Sequence, residues 1–162
     1  NLKGAEEDGL KALQKDPGMQ LAQEVLASVN SLCGKADSGR AYYEEKLRKC
    51  PDDPLALEQR AAAYGTAGKM QEAFDDYNTL VGMFPDNDWY YHARALCETG
   101  LERYEEALAD FNKALELKPY DAEHYFYRAK LKFKMGDAKG AKADFDRAKA
   151  FDPQYGQFPF SV

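Results

Sequence analysis

Small apolar residues recur along this chain at a fixed distance. Ala27, Ala61, Ala95 and Ala129 lie 34 positions apart, and Ala73, Ala107 and Ala141 keep the same interval. Pro17, Pro51, Pro85, Pro119 and Pro153 repeat it again. A period of that length marks stacked supersecondary units, each too small to bury its apolar face alone. With the proline set at position 32, the full repeats are residues 20–53, 54–87, 88–121 and 122–155. A half repeat, 1–19, precedes them, and an aromatic tail, 156–162, follows; all form one array.

Each repeat reads as two helices joined by a tight turn. In the second, Asp53 is a good N-cap and Pro54 sits at the first helical position. Ala61 and Ala73 let the two helices approach closely, Gly68 makes the turn, Tyr77 fills the space between helices, and Pro85 stops the second helix. The fourth repeat matches it with Ala129, Gly136, Ala141, Phe145 and Pro153. The third has Ala95, Ala107, Phe111 and Pro119, with Gly100 two places early. The first keeps Ala27, Gly34, Tyr43 and Pro51, with Gly39 where alanine is expected.

Polar positions keep the register too. Position 7 is Arg60, Arg94 and Arg128, and position 23 is Asp76, Asp110 and Asp144. The first repeat loses both together, with Leu26 and Tyr42 instead. Joint presence and joint absence predict an Arg–Asp ladder between facing helices. The competing reading has both groups in water, where such a pair contributes about 0–1 kcal/mol.

This pattern resembles the tetratricopeptide repeat family. In repeats two to four the matches fall at position 8 (Ala61, Ala95, Ala129), position 20 (Ala73, Ala107, Ala141), position 24 (Tyr77, Phe111, Phe145) and position 32. The chain departs from the family pattern at position 7, where arginine replaces leucine, and at position 11, where only Tyr64 is tyrosine. The resemblance implies an all-α fold: a right-handed superhelical array of antiparallel helix hairpins. It also implies a protein or peptide partner, held by the first helix of each repeat on a concave face.

On that reading the groove is uneven. Repeat two offers Leu55, Glu58, Gln59 and Ala62, which are small, neutral or acidic. Repeats three and four offer Trp89, His92, Leu96, Phe126, Tyr127, Lys130, Phe133 and Lys134. Aromatics beside cations suit a peptide hot spot. Trp89, Phe126, Tyr127 and Phe133 would give affinity, and His92, Lys130 and Lys134 would orient an acidic group. The alternative for Trp89 and Phe126 is plain packing between hairpins. The family's carboxylate clamp for heat-shock chaperone tails is not expected: its positions hold Glu24, Ser28, Gln59, Trp89 and Ala93, or Glu58, Ala62, Ala93, Glu123 and Tyr127, and neither set is cationic.

Composition narrows the rest. A net charge of −6 argues against nucleic acid as the partner. Cys33, Cys50 and Cys97 form no C-x-x-C pair, so neither a disulfide framework nor a zinc site is expected. They read as small buried or half-buried residues in a reducing compartment, the cytoplasm. No membrane insertion is expected, since no apolar run reaches the length of a span. The start in mid-repeat suggests missing upstream residues and leaves export, as to the periplasm, open. His92 and His124 lie in different repeats with no nucleophile beside them, and no phosphate-binding or metalloprotease motif occurs. No enzyme activity, cofactor or metal is expected. The tail carries Tyr155, Phe158 and Phe160. It would fold back as a cap or dock on a neighbouring molecule. Two further readings of function follow: self-association into a structural array, or the binding region of a larger protein.

Overall fold

The computed structural model describes residues 2–16, 18–32 and 36–156. The predictions on Cys33, Gly34, Phe158 and Phe160 therefore lie outside the described residues. Within the described residues the chain forms nine helices and no strand. They are α1 (Leu2–Lys15), α2 (Gln20–Leu32), α3 (Ala36–Lys49), α4 (Pro54–Thr66), α5 (Met70–Met83), α6 (Asp88–Gly100), α7 (Tyr104–Leu117), α8 (Ala122–Lys134) and α9 (Ala138–Phe151). A 3-10 turn, Pro153–Tyr155, follows.

The helix boundaries follow the punctuation. The Asp53 carboxylate accepts from the Ala56 amide at 3.1 Å, with Pro54 opening α4. Asn87 and Asp121 cap α6 and α8 in the same way. Helices α5, α7 and α9 each end two residues before a repeat proline. A proline lacks an amide donor and disfavours helix in the residue before it, so none can continue.

The chain divides into two compact units, residues 1–80 and 81–162, with the division inside the last turns of α5. In the N-terminal unit α1 packs on α2, α2 on α3 and α3 on α4. In the C-terminal unit α6 packs on α7, α7 on α8 and α8 on α9. The repeat alanines are the close-approach points. Ala61, Ala73, Ala95, Ala107, Ala129 and Ala141 all have 0% exposure, which leaves no room for a larger side chain. Tyr43, Tyr77, Phe111 and Phe145 are buried beside them.

Two positions break the register, and each has a physical consequence. Gly68 and Gly136 make their turns at φ +74° and +86°. The equivalent residue of the third repeat is Glu102, held at φ 61°. An L side chain there crowds its own carbonyl at a cost of about 1 kcal/mol. Glu102→Gly is expected to stabilise the C-terminal unit by about 0.5–1 kcal/mol, read as a raised urea midpoint. The other break is Leu26, where repeats two to four have arginine. A Cβ on Gly9 would stand 2.8 Å from Leu26 Cγ, so this leucine lies directly against the backbone of α1.

Candidate functional site

Each pair of the Arg–Asp ladder ties together the two helices of one hairpin. Arg60 donates from Nε and Nη2 to Asp76 at 2.8 and 2.6 Å. Arg94 meets Asp110 in the same two-pronged way at 2.6 and 2.8 Å, and Arg128 meets Asp144 at 2.7 and 2.7 Å. The three aspartates are buried. Each arginine also lies over a tyrosine of its own helix: Tyr64, Tyr91 and Tyr125. Lys132 adds a second cation to Asp144 at 2.7 Å. Burial alone would raise the Asp144 pKa, but Arg128 and Lys132 hold its carboxyl below the usual range. In the first repeat Lys46 takes over the polar link, at 2.9 Å from Glu24 and 3.3 Å from Asp53.

Five of the eight residues expected in the groove meet around one cavity of about 340 Å³. Leu96 comes from α6, while Tyr127, Lys130, Phe133 and Lys134 come from α8. Phe111 of α7 forms its floor together with Leu131. Helical spacing explains the set: Tyr127, Lys130 and Lys134 fall on one stripe of α8. The Lys130 ammonium lies 5.1 Å from the Tyr127 ring centre and 5.7 Å from that of Phe126. The Lys134 ammonium lies 5.5 Å from the Tyr104 ring. Among the described residues neither lysine forms an ion pair with a carboxylate.

The other three expected residues go elsewhere. Phe126 is half-buried and packs on Tyr155 at 4.8 Å and on Phe145 at 6.4 Å, outside the cavity. Trp89 keeps 41% of its surface exposed while its ring lies flat on His92, 5.0 Å between centres. His92 corrects the sequence reading. It has 0% exposure, so it does not reach a ligand carboxylate. Helix α6 turns it inward, edge-on to Phe111 and Tyr127 and against His124.

That histidine pair is a feature sequence reasoning missed. His124 Nε2 lies 2.8 Å from Asp88 Oδ2, and His92 Nδ1 lies 2.9 Å from His124 Nδ1. An ionised carboxylate only accepts, so His124 Nε2 is the donor to Asp88. In the neutral pair His124 Nδ1 then accepts from His92 Nδ1, and His92 Nε2 is left as a buried lone pair without a partner. Burial, reinforced by the neighbouring His124, pushes the His92 pKa down to about 4. The only signal in the sequence was two histidines 32 residues apart, near but not on the repeat interval.

Asp88, Asp121 and His124 present ligand atoms within 4.8 Å of one another and are the described set that could hold a cation. The Lys118 ammonium, 2.8 Å from Asp121 and 3.9 Å from Asp88, already supplies positive charge there. Cys97 is buried and its pKa is pushed up to about 12, so it is an inert thiol, whereas Cys50 is exposed. No described helix is long and apolar enough to cross a membrane.

Known proteins share this architecture. Residues 99–136 match the family model described as TPR repeat. A tetratricopeptide repeat protein from Parabacteroides merdae is 26% identical with a TM-score of 0.76, over 94% of this chain and 61% of that one. MamA from Desulfovibrio magneticus is 14% identical with a TM-score of 0.79, over 94% of this chain and 96% of that one. A thermophilic TPR protein of Thermus thermophilus is 18% identical with a TM-score of 0.76, over 91% and 85%. No curated protein sequence matches. Residues 99–136 carry a tetratricopeptide repeat, and the fold of the chain is the one these tetratricopeptide repeat structures share.

Proposed function

We propose that this chain is a protein-interaction module whose C-terminal unit captures an acidic peptide segment with an apolar anchor. The repeat fold supports a binding role in general. The observation that carries the finer reading is the pair Lys130 and Lys134, two cations without carboxylate partners at the mouth of an apolar cavity. In a chain with net charge −6, cations left uncompensated beside exposed apolar surface favour an anionic ligand. Leu96, Tyr127 and Phe133 would seat an aliphatic or aromatic side chain, with the Trp89 ring as a second platform nearby. The lysines would meet carboxylates on either side of it.

Peptides selected from a random display library on the full chain test this. Bound sequences are expected to carry aspartate or glutamate around one large apolar residue. Reversing both charges, Lys130→Glu with Lys134→Glu, should weaken them about tenfold or more, since each charge-assisted contact contributes about 1.5–3 kcal/mol. Both lysines are exposed, so the fold should survive. Peptides that bind the reversed variant equally well would rule the reading out.

A further inference from the structure

A second apolar surface lies on the α8–α9 hairpin. It is a groove of about 650 Å³ lined by Phe133, Ala138, Lys142, Ala143, Phe145 and Asp146. Going back one repeat, Ala138, Lys142, Phe145 and Asp146 correspond to Tyr104, Leu108, Phe111 and Asn112 of α7. That earlier face is covered, and its cover is visible. Leu131 of α8 is seated on Phe111, Ala95 and Ala107, and Tyr127 packs beside it with Tyr104 and Leu108. Tyr127 and Leu131 are four residues apart on one stripe of α8. Arg128, next to Tyr127, donates from Nη1 to Asn112 at 2.7 Å.

The molecule thus displays what a face of this kind accepts: a helix with large apolar residues at i and i+4 and an arginine at i+1. The equivalent face on α8–α9 keeps the central aromatic, Phe145, and no residue from beyond α9 lines its groove among those described. One difference strengthens the match. Where neutral Asn112 receives Arg128, the later repeat has the carboxylate of Asp146. Its present partner, Lys142 at 2.8 Å, is an exposed neighbour one turn away, and such pairs are weak.

We propose that the α8–α9 groove docks an amphipathic helix of a partner protein, with large apolar residues at i and i+4 and an arginine at i+1 that pairs with Asp146. This surface is distinct from the lysine-rimmed cavity, although Phe133 forms a wall of both.

The probe is a synthetic peptide with the α8 sequence, residues 122–134, stapled on its outer face so that circular dichroism confirms a helix. Calorimetry against the full chain should show saturable binding. Ala143→Glu, at an exposed wall residue, should abolish it. Asp146→Arg should weaken it about tenfold, and a peptide carrying Arg128→Glu should regain that loss on the Asp146→Arg protein. The Lys130→Glu, Lys134→Glu protein should bind the probe unchanged, which separates this proposal from the cavity. No binding of the helical probe, or binding indifferent to Ala143→Glu, would overturn it. So would binding seen only after removal of residues 157–162, which would give the groove to the chain's own tail. Self-association that the probe dissolves would give it to a second copy and equally overturn the proposal.

Discussion

Asp110→Ala is expected to cost the C-terminal unit about 3 kcal/mol, measured as a drop in the urea midpoint followed by Trp89 fluorescence. The chain has one tryptophan, and it stacks on buried His92, so its emission reports that unit alone. The cost arises because the two-pronged Arg94–Asp110 pair is largely dry, with side-chain exposures of 18% and 10%. Removing the carboxylate takes from a desolvated guanidinium the two hydrogen bonds that replaced its water. Replacing both members, Arg94→Met with Asp110→Leu, should recover most of the loss, since a dry ion pair and a well-packed apolar pair are close in free energy. The fourth repeat should behave differently. Arg128→Ala should cost less than Arg94→Ala, because Lys132 still stands 2.7 Å from Asp144. Equal costs would show that the ladder acts through packing rather than charge.

Acid sensitivity is the second large effect, and it is hidden until Glu98 is changed. His92 has its folded pKa depressed from 6.5 to about 4. The unfolded chain takes up this proton first, so the stability His92 contributes is present above pH 6.5 and lost as pH falls toward about 4, to a total of about 3 kcal/mol. The groups around it are Trp89, Phe111, Tyr127 and His124, with the charges of Asp121 and Asp88 pulling weakly the other way.

Glu98 runs in the opposite direction. It is buried, its Oε2 has no partner, and burial with the nearby Asp110 raises its pKa from 4.5 to about 7. Here the folded state holds the proton more tightly, so stability is lost as pH rises from about 4.5 through about 7. Between pH 4.5 and 6.5 the two slopes cancel. The unchanged chain should therefore look nearly flat in that window. Glu98→Gln should fall by about 3 kcal/mol from pH 7 to pH 4 and should exceed the parent in stability at pH 8. Adding His92→Gln should remove the fall. A steep fall in the parent would show that Glu98 does not hold its proton in the folded chain.

Much of this architecture was legible because it repeats. A proline, an alanine and an aromatic at fixed positions each answer a local demand: a helix stop, a close approach, a filled gap. The Arg–Asp register was legible for a related reason. Residues 16 apart across a short turn are brought together by the hairpin itself, so their joint presence in three repeats pointed to contact. Glu102 was not legible, because the turn demands its backbone angle whatever residue stands there, and a glutamate gives no sign of it.

The candidate site divides in the same way. Sequence alone determined the hairpins, their register, the ladder partners, and the stripe that places Tyr127, Lys130 and Lys134 together, because helical and repeat periods are properties of the chain. Only the tertiary structure decided which inward-pointing residues remain accessible. His92 and Trp89 share one helix three positions apart, yet one is sealed and the other half-exposed. The difference lies in what α7 and α8 bring against them: Phe111, Tyr127 and His124 close over His92 and stop short of Trp89. Burial and proton affinity are set by neighbours from other helices, and a period along the chain carries no record of them.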